Sequence, residues 1–124
     1  VSVHVRRGDY VKLADIHSNL AQNHNYYDES MNRFGNKKFV FFSDDIKWCQ
    51  ENFGSDHLYI QSVNDVLDLY LMAKFKNKII ANSSFSWWAA WLGESSDSRI
   101  IAPAKWFENE TPTHDLIPER WERV

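Results

Sequence analysis

Five short apolar runs, separated by segments with helical patterns, most strongly constrain what this chain of 124 residues can fold into. The first run alternates valine with Ser2 and His4, which is the period of a β-strand. The later runs are almost wholly apolar, as expected of strands buried inside a sheet. The sequence therefore predicts strands at residues 1–5, 39–42, 58–60, 79–81 and 100–102.

One segment with helix signals lies between each pair of successive strands. The first has Asn25 as a candidate N-cap and Gly35 as its stop, and the second begins at Asp44 or Asp45 and stops near Gly54. This alternation predicts a Rossmann-like α/β domain, with an open, mainly parallel sheet and helices on both faces. The remaining two helices are predicted to run from Asn64 or Asp65 to residue 75 and from residue 85 to residue 92, with Gly93 as the final stop.

Two segments do not fit this alternation. Residues 11–25 are polar and weakly periodic, which predicts a long loop of the kind that is often functional. Residues 104–124 are irregular but rich in aromatic side chains, so we expect them to pack back on the domain. The length predicts one domain over residues 1–124, and the absence of an initiating Met leads us to interpret the chain as a fragment of a longer protein.

Charge and composition exclude several classes of function. The net charge of −3 gives no reason to expect general affinity for nucleic acid. The single cysteine, Cys49, cannot form an internal disulfide, which is compatible with a reducing compartment. No apolar run approaches the roughly 20 residues of a membrane span. The histidines show no metal-ligand spacing, so no metal site is predicted.

The first strand ends in Arg6 and Arg7, followed by Gly8 and Asp9. Open α/β sheets bind ligands at the carboxyl ends of their strands, and guanidinium groups at that edge suit an anion. The alternative is that both arginines are surface charges that pair with Asp9. His4 shares a strand face with Arg6, so it either contacts the ligand or is a satisfied buried histidine.

A second candidate for anion binding is Asn82-Ser83-Ser84, which leads from the fourth strand into the fourth helix. The N-terminus of a helix presents unpaired N–H groups and a partial positive charge, which together bind phosphate. The alternative is that Asn82 or Ser83 only caps the helix. Combined with Arg6 at a parallel strand end, the pattern favours a diphosphate between the arginine and the helix.

Three segments of the chain carry a family resemblance. They are His4-Val5-Arg6-Arg7-Gly8-Asp9-Tyr10, Phe42-Ser43-Asp44-Asp45 and the run from Ile79 to Trp88, which contains Ala81-Asn82-Ser83-Ser84-Phe85-Ser86-Trp87-Trp88. In order and at similar spacing, these segments resemble motifs of the bacterial alpha-1,2-fucosyltransferases. The resemblance implies the donor-binding half of a GT-B glycosyltransferase, made of two Rossmann domains, without the acceptor domain that precedes it. The fold and the site residues that follow from it are expectations.

The resemblance implies roles for individual residues. Arg6 is expected to contact the donor diphosphate and stabilise the charge that develops on it, with Arg7 either assisting or pairing with Asp9. Asp68 is expected to read guanine, with Asp65 as the runner-up. Independently of the resemblance, the place of Asp44 and Asp45 at a strand end predicts that one of them caps the following helix while the other lies near the nucleotide. The substrate-binding set predicted in this way comprises His4, Arg6, Arg7, Asp44, Asp68, Asn82, Ser83, Ser84, Phe85 and Ser86, and the catalytic set comprises Arg6 and Asp9, the latter as a weak candidate for the general base.

The implied reaction is an inverting transfer of fucose from GDP-β-L-fucose to a galactose-containing glycan, without metal or cofactor. The acceptor would bind through the missing domain, and the isolated fragment is expected to be inactive. The expected location is the bacterial cytoplasm, with peripheral association with the inner membrane left open. The alternatives are a fucosyltransferase of another linkage and a non-catalytic nucleotide-binding or signalling domain. Members of the family often have Cys and His before the fourth strand, where this chain has Phe75 and Asn77.

Overall fold

The computed structural model describes residues 1–8, residue 20 and residues 25–124. Strands and helices alternate over most of this part of the chain. The strands are β1 Ser2–Val5, β2 Val40–Ser43, β3 Leu58–Ile60, β4 Lys78–Ile79, β5 Ile100–Ala102 and β6 Glu122–Arg123. The helices are α1 Asn25–Asn32, α2 Ile46–Phe53, α3 Asp65–Lys74 and α4 Ser84–Leu92.

The six strands form one sheet in the order β3-β2-β1-β4-β5-β6, and every neighbouring pair is parallel. Val3 lies at its centre, paired with Phe41 on one side and with Ile79 on the other. The strand order reverses between β1 and β4, and in open α/β sheets ligands bind at such a reversal, beyond the carboxyl ends of the strands. The predicted Rossmann-like fold is confirmed.

Helices cover both faces of the sheet, as predicted. Alternate residues of β2 point to opposite faces, so Phe41 packs in one cluster with Tyr27 and Phe53 of α1 and α2. Phe42 packs on the other face with Met72 of α3 and with residues of α4. The two hydrophobic layers fix where α3 and α4 begin relative to the strand ends, and this geometry positions the candidate site.

Two strands at one side of the sheet, β4 and β6, differ from the prediction. The fourth strand is Lys78–Ile79 and not residues 79–81. Lys78 is buried in it because its Nζ atom donates hydrogen bonds to the carbonyl oxygens of Phe75 and Gly93. Strand β6 was not predicted, since Glu122-Arg123 carries no apolar signal and forms a strand only by pairing with β5.

The aromatic tail packs back on the domain, as expected. Trp106, Ile117 and Trp121 are buried in a cluster with Ile80 and Ala90. No helix in the described part of the chain is long and apolar enough to cross a membrane. The predicted loop at residues 11–25 lies mostly outside the described residues, which in that range include only residues 20 and 25.

Candidate functional site

A cavity of about 240 Å³ lies at the carboxyl edge of the sheet, next to the reversal of strand order. Its walls come from the ends of β1, β2 and β3, from the first turns of α3 and from the start of α4. Five predicted site residues line it: His4, Arg6, Asp44, Asp68 and Phe85. Asp65, Phe42, Ser43, Gln61 and Ser62 complete the lining.

His4 enters the cavity from the central strand, on the same face as Arg6. Its side chain is only 4% exposed, and its ring centroid lies 5.3 Å from that of Phe85. Burial, assisted by the positive charge of Arg6, lowers the pKa of His4 to about 3. The imidazole is therefore neutral at pH 7, with one nitrogen that donates and one that accepts. Its Nδ1 atom is buried and has no hydrogen-bond partner among the described residues.

Asp68 reaches the cavity from the first turns of α3, a helix capped by the side chain of Asn64. Asp68 is 8% exposed, and its Oδ2 atom accepts a hydrogen bond from the backbone N–H of Ser62 at 3.4 Å. Its Oδ1 atom is buried without a partner in the described part of the chain. Buried polar atoms are normally satisfied, so the unpartnered Asp68 Oδ1 and His4 Nδ1, on two residues that line one cavity, indicate a polar ligand there.

Asp44 positions the turn that carries Arg6. Its two carboxylate oxygens accept hydrogen bonds from the backbone N–H groups of Arg7 and Gly8, each at 2.9 Å. Its Oδ2 atom also lies 3.4 Å from Nη1 of Arg6. A β-carbon at Gly8 would lie only 2.4 Å from that Oδ2 atom, so any other residue there would force the Asp44 carboxylate to shift. The carboxylate that was predicted to lie near the nucleotide therefore also fixes the backbone of the arginine turn.

Arg7 faces the opposite side of the sheet. Its Nε atom lies 3.1 Å from Asp45 Oδ2, and its guanidinium stacks over the ring of Trp48, 4.3 Å from the centroid. Asp45 also caps α2, accepting a hydrogen bond from the N–H of Trp48. The structure thus shows Arg7 beside α2 and outside the cavity lining. Asp9, the other residue considered as its partner and as a general base, lies outside the described residues.

The N-terminus of α4 adjoins the cavity at Phe85. Ser83 occupies the N-cap position, yet its side chain makes no capping hydrogen bond. The first N–H groups of a helix have no partner within the helix, and those of α4 come a few residues after the carboxyl end of β4. The Ser86 hydroxyl is buried, 3.3 Å from the carbonyl oxygens of both Ala81 and Ser83, and so stabilises the turn itself.

Asn82 and Ser84 line a second cavity on the same turn. The side chain of Asn82 donates a hydrogen bond to the carbonyl oxygen of Trp106 at 2.9 Å. The predicted run from Asn82 to Ser86 therefore divides between two cavities and the turn that separates them. Gln61 and Ser62 were missed by sequence reasoning, although their place directly after the third predicted strand was a usable signal.

Neither cavity offers an evident metal site. In residues 1–8, 20 and 25–124, no three His, Cys, Asp or Glu side chains are grouped as metal ligands. The first cavity instead combines one arginine with the carboxylates of Asp44, Asp65 and Asp68. Such a lining can bind a ligand that has both an anionic part and a part rich in hydrogen-bond donors.

The family model for Glycosyl transferase family 11 matches residues 1–122. The chain belongs to this family. It is 41% identical to an alpha-1,2-colitosyltransferase of Escherichia coli, with 100% of this chain and 47% of the relative covered. It is 36% identical to an O-antigen biosynthesis glycosyltransferase of the same organism, with 97% of the chain and 43% of the relative covered.

The chain is also similar to fucosyltransferases from outside the bacteria. A galactoside 2-alpha-L-fucosyltransferase of Bos taurus is 30% identical, with 77% of the chain and 29% of that protein covered. The chain spans less than half the length of each of these three relatives. No solved structure matches it significantly. The resemblance to the alpha-1,2-fucosyltransferases is thus confirmed at the level of the family.

Proposed function

We propose that the chain is the GDP-fucose-binding domain of an inverting alpha-1,2-fucosyltransferase. The observation that carries the proposal is that His4 and Asp68, which line the same cavity as Arg6, each have one buried side-chain atom without a partner among the described residues. One ligand with a nucleoside at one end and a diphosphate at the other supplies partners for both residues and for Arg6. Membership of a glycosyltransferase family and the names of the relatives support a nucleotide sugar as that ligand.

Guanine fits the acidic end of the cavity. A carboxylate at Asp68 can accept hydrogen bonds from both N1–H and the exocyclic amine of guanine, and adenine offers no matching pair of donors. Asp65 and Gln61 line the same end, where negative charge would repel a phosphate. The neutral imidazole of His4 is available as a further partner for the base or the ribose.

The diphosphate belongs at the other end, between Arg6 and the N-terminus of α4. The Nη1 atom of Arg6 lies 3.4 Å from Asp44 Oδ2, which is longer than the roughly 2.7–2.9 Å of a strong charge-assisted hydrogen bond, so a phosphate oxygen can replace Asp44 in this contact. When GDP leaves fucose, negative charge grows on the β-phosphate. A guanidinium and helix N–H groups that are already in place stabilise that charge without a metal.

Inversion requires that the acceptor hydroxyl attack the face opposite to the departing GDP. A general base would assist by removing the proton from that hydroxyl, and Asp9 remains the weak candidate within this chain. In this proposal a second domain binds the galactose-containing acceptor, and the enzyme works in the bacterial cytoplasm. A second candidate is transfer of colitose, favoured by the 41% identity to an alpha-1,2-colitosyltransferase.

Calorimetric titration with GDP and ADP tests the nucleotide assignment. We expect GDP to bind at least about tenfold more tightly than ADP, the scale of one lost hydrogen bond to a charged group, because only guanine satisfies Asp68. Equal affinity for both nucleotides, or binding of neither, would overturn the proposal.

Two neighbouring arginines provide a matched pair of variants for the diphosphate. Arg6→Ala should weaken GDP binding by about ten- to a hundredfold, the range of a lost hydrogen bond to a charged group. Arg7→Ala should leave the affinity nearly unchanged, since Arg7 contacts Asp45 and Trp48 and does not line the cavity. Equal losses in the two variants would contradict the assignment of Arg6.

A further inference from the structure

A second cavity, of about 370 Å³, lies beside the first and is unexplained by nucleotide binding. Its lining is mainly aromatic: Trp87, Trp88, Trp106 and Phe107, with Leu116. Asn82 adds an amide and Ser84 adds a hydroxyl. Within the part of the chain that the structure describes, no charged side chain lines this cavity. The cavity therefore suits a neutral ligand that has an apolar surface and a few hydroxyl groups.

The two cavities are lined by consecutive residues of a single turn. Ser84 lines the second cavity and Phe85, the next residue, lines the first. Across the sheet, the acidic end of the first cavity lies beside β3 and α3, and Arg6 and the start of α4 follow β1 and β4. The second cavity continues beyond β4 to Trp106 and Phe107, which follow β5. A base, a diphosphate and a further group can thus lie in sequence along one edge.

The aromatic lining is already held in place. Trp87 donates a hydrogen bond from Nε1 to the carbonyl oxygen of Leu116 at 2.7 Å and stacks on Trp91 at 5.2 Å between centroids. Trp88 meets Trp87 edge to face, and 49% of its surface remains exposed. Indole rings fixed in this way offer flat apolar surfaces with little loss of conformational entropy on binding.

We propose that the second cavity binds the 6-deoxyhexose ring of the nucleotide-sugar donor. This inference rests on the proposed function, because the donor places its sugar directly after the diphosphate at the start of α4. The methyl group and one apolar face of the ring lie against Trp88 and Phe107. The amide of Asn82, which is oriented by its bond to Trp106, and the hydroxyl of Ser84 contact the sugar hydroxyls.

Paired titrations with GDP and GDP-fucose test this site. Trp88→Ala and Phe107→Ala should each leave GDP affinity unchanged and weaken GDP-fucose by about three- to tenfold, the scale of one aromatic contact. Tyr70→Ala is the matched control, because Tyr70 is an aromatic residue on α3 with 56% exposure and lies outside the cavity. It should change neither affinity. In saturation-transfer NMR, the fucose methyl protons should receive magnetisation from the wild-type protein and less from Trp88→Ala.

Each other outcome has a defined meaning. If wild-type protein does not bind GDP, the proposed function fails and the sugar site fails with it. If GDP binds but both aromatic variants leave GDP-fucose affinity unchanged, only the sugar site is overturned. The sugar site is also overturned if lactose, used as an acceptor probe, binds the wild type and loses affinity in Trp88→Ala while GDP-fucose does not. That result would assign the cavity to the acceptor.

Discussion

The turn after β1 depends on a contact between two residues that are far apart in the sequence, Asp44 and Gly8. The sequence indicated that Arg6 lies at a strand end, because strand period and strand termination are local signals. It did not indicate that Asp44 accepts two backbone hydrogen bonds from the arginine turn, because this requires β1 and β2 to be neighbours in space. The partner of Arg7 could not be predicted for the same reason, because Asp45 also follows the end of β2.

Gly8→Ala should disrupt this contact. The added methyl group would lie 2.4 Å from Asp44 Oδ2, so the carboxylate must move and give up hydrogen bonds. We expect a loss of about 1–3 kcal/mol in the free energy of unfolding, measured with urea, together with weaker GDP binding. The loss should be smaller in an Asp44→Ala background, where the clashing atom is absent. An equal loss in both backgrounds would show that the contact is not the cause.

At the scale of elements, helix ends were easier to predict than strand ends. Gly54 and Gly93 are predicted as helix stops, and both are C-caps in the structure. Asp45 and Asn64 are each one of two residues predicted to begin a helix, and both are N-caps in the structure. Capping depends on residues within one turn of the helix, so a single sequence contains the signal. A strand depends on its neighbours, so the position of β4 and the existence of β6 did not follow from the sequence.

Asp45→Ala should cost about 1 kcal/mol in the free energy of unfolding, mostly from the lost N-cap of α2. Its ion pair with Arg7 is partly exposed and should add little. Asp56→Ala, an exposed aspartate in the loop after α2, is the control and should stay within about 0.5 kcal/mol of wild type. GDP affinity should be unchanged in both variants, because neither side chain lines the first cavity. A drop in GDP affinity for Asp45→Ala alone would mean that Arg7 contributes to the site.

At the scale of the whole molecule, one residue beside the reversal of strand order, His4, belongs both to the interior of the fold and to the candidate site. His4 lies on the central strand, in the hydrophobic interior and on the cavity at once. Strand alternation placed it on the same face as Arg6, but the sequence left open whether it was a ligand contact or a satisfied core residue. The structure shows it buried beside Phe85, with one nitrogen that has no partner among the described residues. Its burial depends on residues from distant parts of the sequence, which only the fold brings together.

Stability should therefore fall as the pH is lowered below 6.5. The pKa of His4 is about 3 in the folded protein against 6.5 in an unfolded chain, so between these values only the unfolded state binds the proton. The free energy of unfolding should decrease by up to about 1.4 kcal/mol per pH unit in this range. Hydrogen bonds and ion pairs lower the carboxyl pKa values of Glu94 and Glu122, which add to the loss only at lower pH.

This dependence can be checked by urea unfolding of wild type and His4→Gln. The measurements should cover about pH 5 to pH 7, the range in which an unfolded histidine titrates. The variant has no imidazole to protonate, so its stability should change much less over the same range. A slope that is the same in both proteins would show that His4 is not the group responsible.

Binding of guanosine diphosphate to the first cavity through Asp68 can be tested by exchanging one functional group on each side of the contact. In xanthine a carbonyl oxygen replaces the 2-amino group of guanine, and in Asp68→Asn an amide that can donate replaces an acceptor. We predict that wild type prefers GDP to XDP and that Asp68→Asn loses GDP affinity while gaining affinity for XDP. A variant that binds GDP as well as wild type does, or that gains nothing for XDP, would contradict the claim.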